Sequence, residues 1–258
     1  MAGVDGVLFD IEGVIVTSWE PVPGAAEVLA GLRERGVHRA FLTNTTSRTC
    51  AQIAESLTGL GMPVEPAEIV TAASLTAEYL RQTYPDRRCW VLNHGDVEAD
   101  LEGIVRDEDD PEVVVLGGAG PEFSHRALSR VAELMLDGVP VVAMHRGSTW
   151  QSADGLRIDT GVYLPGLEEL TGQTVVAVGK PSMRGFLAAA ELMGTEPDRM
   201  AVVGDDLHAE VIPGQRLGMT GILVRTGKFR QSVLDLAVER PDRVIDSVAA
   251  LPELLDTL

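Results

Sequence analysis

The stretch that decides the fold is Gly6-Val7-Leu8-Phe9-Asp10-Ile11-Glu12-Gly13-Val14-Ile15. Val7 to Phe9 is a continuous apolar run, the pattern of a strand buried on both faces. It breaks into two carboxylates two residues apart, Asp10 and Glu12, followed by Gly13. A buried strand gains nothing by ending in two acids. The carboxyl ends of parallel strands, however, are where open α/β sheets keep their chemistry. By itself the stretch also reads as a strand running out into a polar loop, so the surrounding chain has to decide.

Outward from this stretch, Pro21, Pro23 and Gly24 mark a loop. Ala25, Val28, Leu29 and Leu32 then recur at helical spacing, and Gly36 ends that helix. Val37 to Leu42 is the next strand. It ends in Thr43-Asn44-Thr45-Thr46-Ser47-Arg48, and a helix bearing Ile53, Leu57 and Leu60 follows. A short strand spans Glu68 to Thr71. The alternation βαβαβ predicts a parallel sheet with right-handed crossovers.

From about Ala72 a second α/β unit is expected. Its elements are a helix with Leu75, Tyr79 and Leu80, a strand at Trp90 to Leu92, and a helix around Val97 to Ile104. The strand Val113 to Leu116, a helix from Leu128 to Leu136 and the strand Val139 to Met144 complete it. The acidic run Asp107 to Asp110 reads as a solvated turn. A third section opens at Val175 to Val178 and continues through Gly179-Lys180-Pro181-Ser182 and the strand Met200 to Gly204. Asp205-Asp206 follow directly, and two further strands close the chain. The fold class expected is α/β: a Rossmann-like parallel-sheet core (residues 1–72 and 175–258) interrupted by an inserted α/β domain (residues 73–174).

Composition narrows the function. The chain has 258 residues, 45% of them hydrophobic but only 4% aromatic, so a large aliphatic core is available. A formal net charge of -18 repels nucleic acid and anionic membranes, and neither is expected as a partner. It repels a phosphorylated substrate as well, so a phosphate site would need its own positive charge. Cys50 and Cys89 read as reduced structural thiols. There is no basic stretch leading into a long apolar segment near Met1, and no run of eighteen apolar residues, so a cytoplasmic protein is expected.

Four strand ends carry chemistry-bearing residues: Asp10/Glu12, Thr43/Asn44, Lys180 and Asp205/Asp206. In neighbouring parallel strands they would cluster along one sheet edge. Carboxylates and a backbone carbonyl are hard oxygen ligands suited to Mg²⁺. Thr43 offers a hydroxyl, and Asn44 stands near a helix start, where N–H groups face an anion. Lys180 is one of only two lysines in the chain, the other being Lys228, and it lies between Gly179 and Pro181. Phosphoryl transfer asks for this set: charge neutralised on the transferring group and a nucleophile held in line. A carboxylate can itself serve as nucleophile.

These motifs, in this order, resemble the haloacid dehalogenase superfamily of phosphohydrolases. They are Asp-x-acid-Gly-Val after a strand, Leu-Thr-Asn after the next, a distant Gly-Lys-Pro, and Val-Gly-Asp-Asp with an acid five residues on. The inserted domain is similar to the α/β cap (C2 type) of the NagD-like subclass. Further phrases shared with that subclass are Asp154-Gly155-Leu156 and Arg225-Thr226-Gly227-Lys228-Phe229-Arg230. The resemblance implies a Mg²⁺-dependent phosphohydrolase acting on a small phosphorylated metabolite (a phosphomonoester, pyrophosphate or phosphoamidate) through an aspartyl phosphate on Asp10. It also implies a homodimer. Asp10 would be nucleophile and metal ligand. Glu12 would give its backbone carbonyl to the metal and its side chain to acid/base catalysis. Thr43 and Asn44 would hold phosphoryl oxygens, and Lys180 would neutralise charge. Asp205 would be the second metal carboxylate, supported by Asp206 and Glu210.

The chain departs from the superfamily pattern twice, with Glu12 and Glu210 where Asp is usual. Each adds a methylene and moves a carboxylate by about 1 Å, a misplacement that can cost on the order of a hundredfold in rate. A weakly active or inactive phosphate-binding or regulatory protein is therefore the alternative. A receiver-like signalling domain, which also uses Asp, Thr and Lys at strand ends, is disfavoured by motif order and by the long insertion. In the cap, the turn Gly117 to Phe123 and the segment His145 to Trp150 are candidate specificity elements. Arg146 could meet an anionic substrate and Trp150 could stack on it; a solvated hairpin with a tucked Trp is the plainer reading. Gly117-Gly118-Ala119-Gly120 lacks the full dinucleotide-loop spacing. His38, His94, His125, His145 and His208 show no ligand spacing and read mostly as surface or loop residues, with His208 near the site by position only.

Overall fold

The computed structural model describes residues 3–152 and 155–258; Asp154 of the phrase Asp154-Gly155-Leu156 lies outside them. The chain forms two compact units. The first comprises Met1–Thr43, Ala51–Val70 and Pro181–Leu258; the second comprises Asn44–Cys50 and Thr71–Lys180.

In chain order, the elements begin with β1 (Gly6–Phe9), β2 (Val16–Thr17), β3 (Glu20–Pro21), α1 (Ala25–Glu34), β4 (His38–Thr43) and α2 (Cys50–Gly59). Next come β5 (Ile69–Thr71), α3 (Ala72–Thr83), β6 (Cys89–Leu92), β7 (Val113–Leu116), α4 (His125–Leu136) and β8 (Val141–Ala143). They continue with β9 (Thr149–Ser152), β10 (Gly155–Ile158), α5 (Leu164–Thr171), β11 (Val176–Ala177) and α6 (Met183–Met193). The last are β12 (Met200–Gly204), α7 (Ile212–Gln215), β13 (Thr220–Val224), α8 (Gln231–Leu236), β14 (Arg243–Ile245) and α9 (Leu251–Leu255).

The first unit is built on a six-stranded sheet in the order β14-β13-β12-β1-β4-β5. β1 pairs in parallel with both β12 and β4, and β12, β13 and β14 pair in parallel in turn. The apolar run predicted to be buried on both faces is so: Val7, Leu8 and Phe9 are at most 1% exposed. Phe9 stacks on Phe41 of β4, ring centroids 5.7 Å apart. From β1 the chain proceeds to β4 and β5 on one side, then returns to β12 on the other. The order therefore reverses between β1 and β12, which opens a crevice at their carboxyl ends.

The second unit carries a four-stranded parallel sheet, β11-β8-β7-β6, and an antiparallel hairpin, β9–β10. Its core joins Trp90, Val114, Leu116, Val131, Met135 and Leu164. Two local expectations differ from what forms. The helix expected around Val97 to Ile104 is a single 3₁₀ turn, Ala99–Leu101. Gly95 and Gly103, both at positive φ, bracket it too closely for a full helix. The strand at Val175 to Val178, read as opening the third section, pairs through Val176 and Ala177 with β8 of the second unit's sheet. No helix among the described residues is long and apolar enough to cross a membrane.

Candidate active site

Asp10 directly follows β1, and its N–H donates to the Val203 carbonyl of β12 at 3.0 Å, extending the ladder by one rung. Asp205 follows β12 in the same way. The β1–β12 register, Phe9 beside Val203, puts both acids at one level of the crevice. Asp10, Asp205 and Glu210 each present a carboxylate oxygen within 4.8 Å of the other two. They are 6%, 2% and 3% exposed. Three buried carboxylates at this separation repel one another strongly unless a cation or protons intervene, because screening falls with burial. The donor set, all hard oxygen, fits Mg²⁺ and does not suit a thiophilic metal.

Glycines shape the cradle. A Cβ on Gly13 would lie 1.9 Å from Asp205 Oδ2, and one on Gly227 would lie 2.0 Å from the same atom; both residues have positive φ. Only glycine meets both constraints. Asp205 Oδ2 also accepts the Lys228 main-chain N–H at 2.6 Å, and the Thr226 hydroxyl donates to the Gly13 carbonyl. The loop Thr226–Lys228 thus fixes the Asp205 carboxylate, a role that the phrase Arg225–Arg230 does not reveal in sequence.

Glu210 is held by chain geometry. Its Oε2 accepts the N–H groups of Asp205 (3.0 Å) and Asp206 (3.2 Å). Gly204 leaves room for it, since a Cβ there would sit 2.4 Å from that oxygen. The longer Glu side chain spans back to the strand end, orienting the two acids that follow β12. Asp206 is half-buried, and its Oδ1 accepts the His208 and Ala209 N–H groups at 2.9 Å, so it caps the helical turn Leu207–Val211.

Glu12 is half-buried, and its Oε1 accepts the Ser18 N–H at 2.7 Å. Burial pushes its carboxyl above the ordinary range; the Ser18 bond opposes that shift, and the nearby Asp10 charge adds to it. Ser18 and Trp19 form the two-residue turn joining β2 and β3, and both have positive φ (52° and 62°), uncommon for non-glycine residues.

Thr43 ends β4 and is 3% exposed. In the second unit Asn44 and Lys180 are brought together. The Asn44 amide donates to the Lys180 carbonyl at 3.0 Å and accepts the Lys180 N–H at 2.9 Å. The Asn44 side chain therefore has both of its ends on the Lys180 main chain. Gly179 permits this approach, since a Cβ there would lie 2.6 Å from Asn44 Oδ1. Lys180 itself is 5% exposed.

The candidate specificity residues of the second unit separate. Arg146 pairs with Glu168 and donates to the Val175 carbonyl at 2.8 Å, which ties it to its own unit. Trp150 is 36% exposed rather than tucked, and it stacks against His94 with centroids 6.2 Å apart. His94 in turn meets Glu122 at 3.0 Å. His145, expected on the surface, is 3% exposed. It accepts the Gly147 N–H at 3.0 Å and faces Asp159 at 3.7 Å, a buried pair that joins the β8 end to the loop after β10. The missing side chains of Gly117, Gly118 and Gly120 make room for Asn93, Thr46 and His94.

Comparison with known proteins identifies the family. A family model for haloacid dehalogenase-like hydrolases matches residues 7–104, and a HAD-hydrolase-like model matches residues 177–251. The chain is 36% identical over 226 residues to the human haloacid dehalogenase-like hydrolase domain-containing protein 2, covering 88% of this chain and 86% of that one. It is 30% identical over 261 residues to the human phospholysine phosphohistidine inorganic pyrophosphate phosphatase, covering 99% and 95%. Among solved structures, the 4-nitrophenylphosphatase of Thermotoga maritima superposes with a TM-score of 0.89 at 28% identity, over 97% of each chain. NagD from E. coli K-12 gives 0.86 at 26% identity, covering 96% of this chain and 98% of that one. The chain belongs to the haloacid dehalogenase-like hydrolase family, and it is an enzyme of that family's phosphatase type.

Proposed function

We propose that this protein hydrolyses a small phosphorylated compound by transferring its phosphoryl group to Asp10 and then to water. The observation that carries the reading is the cluster of three buried carboxylates, Asp10, Asp205 and Glu210, at the β1/β12 crevice. Asp10, Asp205 and the Glu12 carbonyl would hold a Mg²⁺ ion, which when bound offsets charge on the phosphoryl oxygens. An Asp10 carboxylate oxygen attacks phosphorus while the bond to the leaving oxygen or nitrogen breaks, and the leaving group takes a proton. Water then attacks phosphorus, the bond to Asp10 breaks, and inorganic phosphate departs with the Asp10 carboxylate regenerated. Thr43 and the Asn44 backbone bind phosphoryl oxygens, Lys180 supplies positive charge, and Glu12 gives and takes the proton. Turnover of 4-nitrophenyl phosphate with and without Mg²⁺ tests the reading; equal rates in excess chelator would overturn the metal role.

One observation favours a second reading, that of a phosphate binder with little turnover. Glu12, where the superfamily carries Asp, has its Oε1 engaged by Ser18 at 2.7 Å. A side chain held by a turn is less able to follow a leaving group. Leaving-group dependence separates the two readings, as developed in the Discussion.

The inserted stretch of about residues 73–174 is further proposed to be the cap that selects substrate, with core segments at 1–72 and 175–258. A cytoplasmic location is supported by Cys50 and Cys89, neither of which is in a disulfide. A homodimer is supported by the apolar side chains Leu156 and Ile158 of β10, which are 67% and 54% exposed. Light scattering that gives a monomer mass would remove the dimer.

A further inference from the structure

The segment 44–50 runs without regular structure from Thr43 to the start of α2, yet it clusters with the second unit. Four contacts from that unit grip it. Asn93, just past β6, donates to the Thr46 carbonyl at 3.0 Å and to the Gly95 carbonyl at 3.1 Å, and its Oδ1 accepts the Gly118 N–H at 2.8 Å. Both of its amide hydrogens and one lone pair of its oxygen are engaged. A Cβ on Gly95 would lie 2.5 Å from Ser47 Cα, and one on Gly118 would lie 2.3 Å from the Thr46 hydroxyl. The ends of β6 and β7 thus close on residues 46 and 47. At the far end, both oxygens of Asp100 accept the Cys50 N–H at 3.1 Å, and Oδ2 accepts the Thr71 hydroxyl at 2.8 Å. Thr71 in turn caps α3 by accepting the Ser74 N–H at 3.0 Å. Asp100 therefore ties the start of α2 to the start of α3.

We propose that Asn93 and Asp100 are positioning residues for phosphate binding. They hold the segment after Thr43 in the conformation that presents the Asn44 N–H to phosphoryl oxygens. The inference rests on the phosphate role of Thr43 and Asn44 proposed above. An irregular segment otherwise samples many conformations, and ordering it on each binding event costs affinity. Here the ordering is built in, by side chains that do not touch substrate. Asn44 and Lys180 lie in the same compact unit as Asn93 and Asp100.

The test is competitive inhibition by inorganic phosphate in the full chain, read beside kcat, KM and thermal midpoint, for Asn93→Ala, Asp100→Asn and, as reference, Thr43→Val. Asn93→Ala and Asp100→Asn are each expected to raise the inhibitory phosphate concentration about tenfold, well inside the loss that a misplacement of ~1 Å can cause. KM should rise in parallel, and Asn93→Gln should recover part of the loss. If Asn93→Ala folds poorly, Asp100→Asn carries the test alone, since it keeps the shape of the side chain. Phosphate inhibition within twofold of wild type in Asp100→Asn, whatever its thermal midpoint, would overturn the proposal while Thr43→Val still weakens phosphate. If Thr43→Val also leaves phosphate binding unchanged, the phosphate loop itself has been misassigned.

Discussion

Asn44 and Lys180, 136 residues apart in the chain, are joined side chain to main chain by a reciprocal pair of hydrogen bonds, 3.0 Å and 2.9 Å long. An amide carries its donor and its acceptor on separate atoms, so it meets a peptide N–H and a peptide C=O at once. Asn44→Ala leaves both peptide groups partly buried and unmet, at a cost of about 1–3 kcal/mol in stability. Asn44→Asp keeps the acceptor and loses the donor. Denaturant melts should rank wild type above Asp and Asp above Ala, with phosphatase turnover falling in the same order. Equal stability of all three would show that the bond pair contributes nothing.

Gly13 and Gly227 press on one oxygen of Asp205. Gly13→Ala and Gly227→Ala should each displace that carboxylate by about 1 Å, with a loss in kcat on the order of a hundredfold, or about 2.7 kcal/mol. Isothermal titration with Mn²⁺ should show weaker binding in both. Gly36→Ala, at positive φ but with open space around its Cβ, is the control: it strains the backbone without touching the site. Full activity in Gly13→Ala would contradict the cradle.

Much of this was legible from the sequence, and the reason is local. Asp10, Thr43 and Asp205 each end a strand, and Glu210 follows Asp205 at fixed spacing, so a buried apolar run followed by polar residues announced each one. The α/β class followed from alternating periods in the same way. What the sequence hid depends on distant partners. Nothing near Asn44 says that its side chain serves Lys180. The Thr226–Lys228 loop meets Gly13 only because β13 lies two strands from β1. Val176 and Ala177 look like any short strand until β8 pairs with them. His145 sits among polar residues in sequence, and only Asp159 and Gly147 show it to be interior.

Glu12 separates the two readings of activity. As general acid it matters most for poor leaving groups, and general acid–base catalysis contributes typically 10²–10⁴-fold. Glu12→Gln should therefore slow hydrolysis of an alkyl phosphate by about a hundredfold or more and slow 4-nitrophenyl phosphate far less. Equal effects on both substrates would remove Glu12 from proton transfer and favour the weakly active reading. Glu12→Asp, which restores the usual residue, is expected to raise monoester hydrolysis; a clear fall would mean that the longer side chain is itself required.

Both thiols should be inert in the folded protein. Burial pushes Cys50 and Cys89 up to about 11, with the neighbouring Asp100 charge adding to the effect at Cys50. A raised thiol pKa favours the neutral form in the fold, so its stabilising contribution is present below the unfolded value and is lost as pH rises through about 11. At pH 8 only about one thiol in a thousand is thiolate. Iodoacetamide labelling followed by mass spectrometry should show slow modification of native protein and rapid modification in denaturant. Fast native labelling of Cys50 would contradict its burial against Asp100.

The central claim is that Asp10 receives the phosphoryl group. Turnover of 4-nitrophenyl phosphate in Mg²⁺ by Asp10→Asn tests it most directly, because asparagine keeps the shape of the side chain and removes its nucleophilicity. A loss of more than about a thousandfold is predicted, with the thermal midpoint maintained. Turnover near the wild-type rate would contradict it.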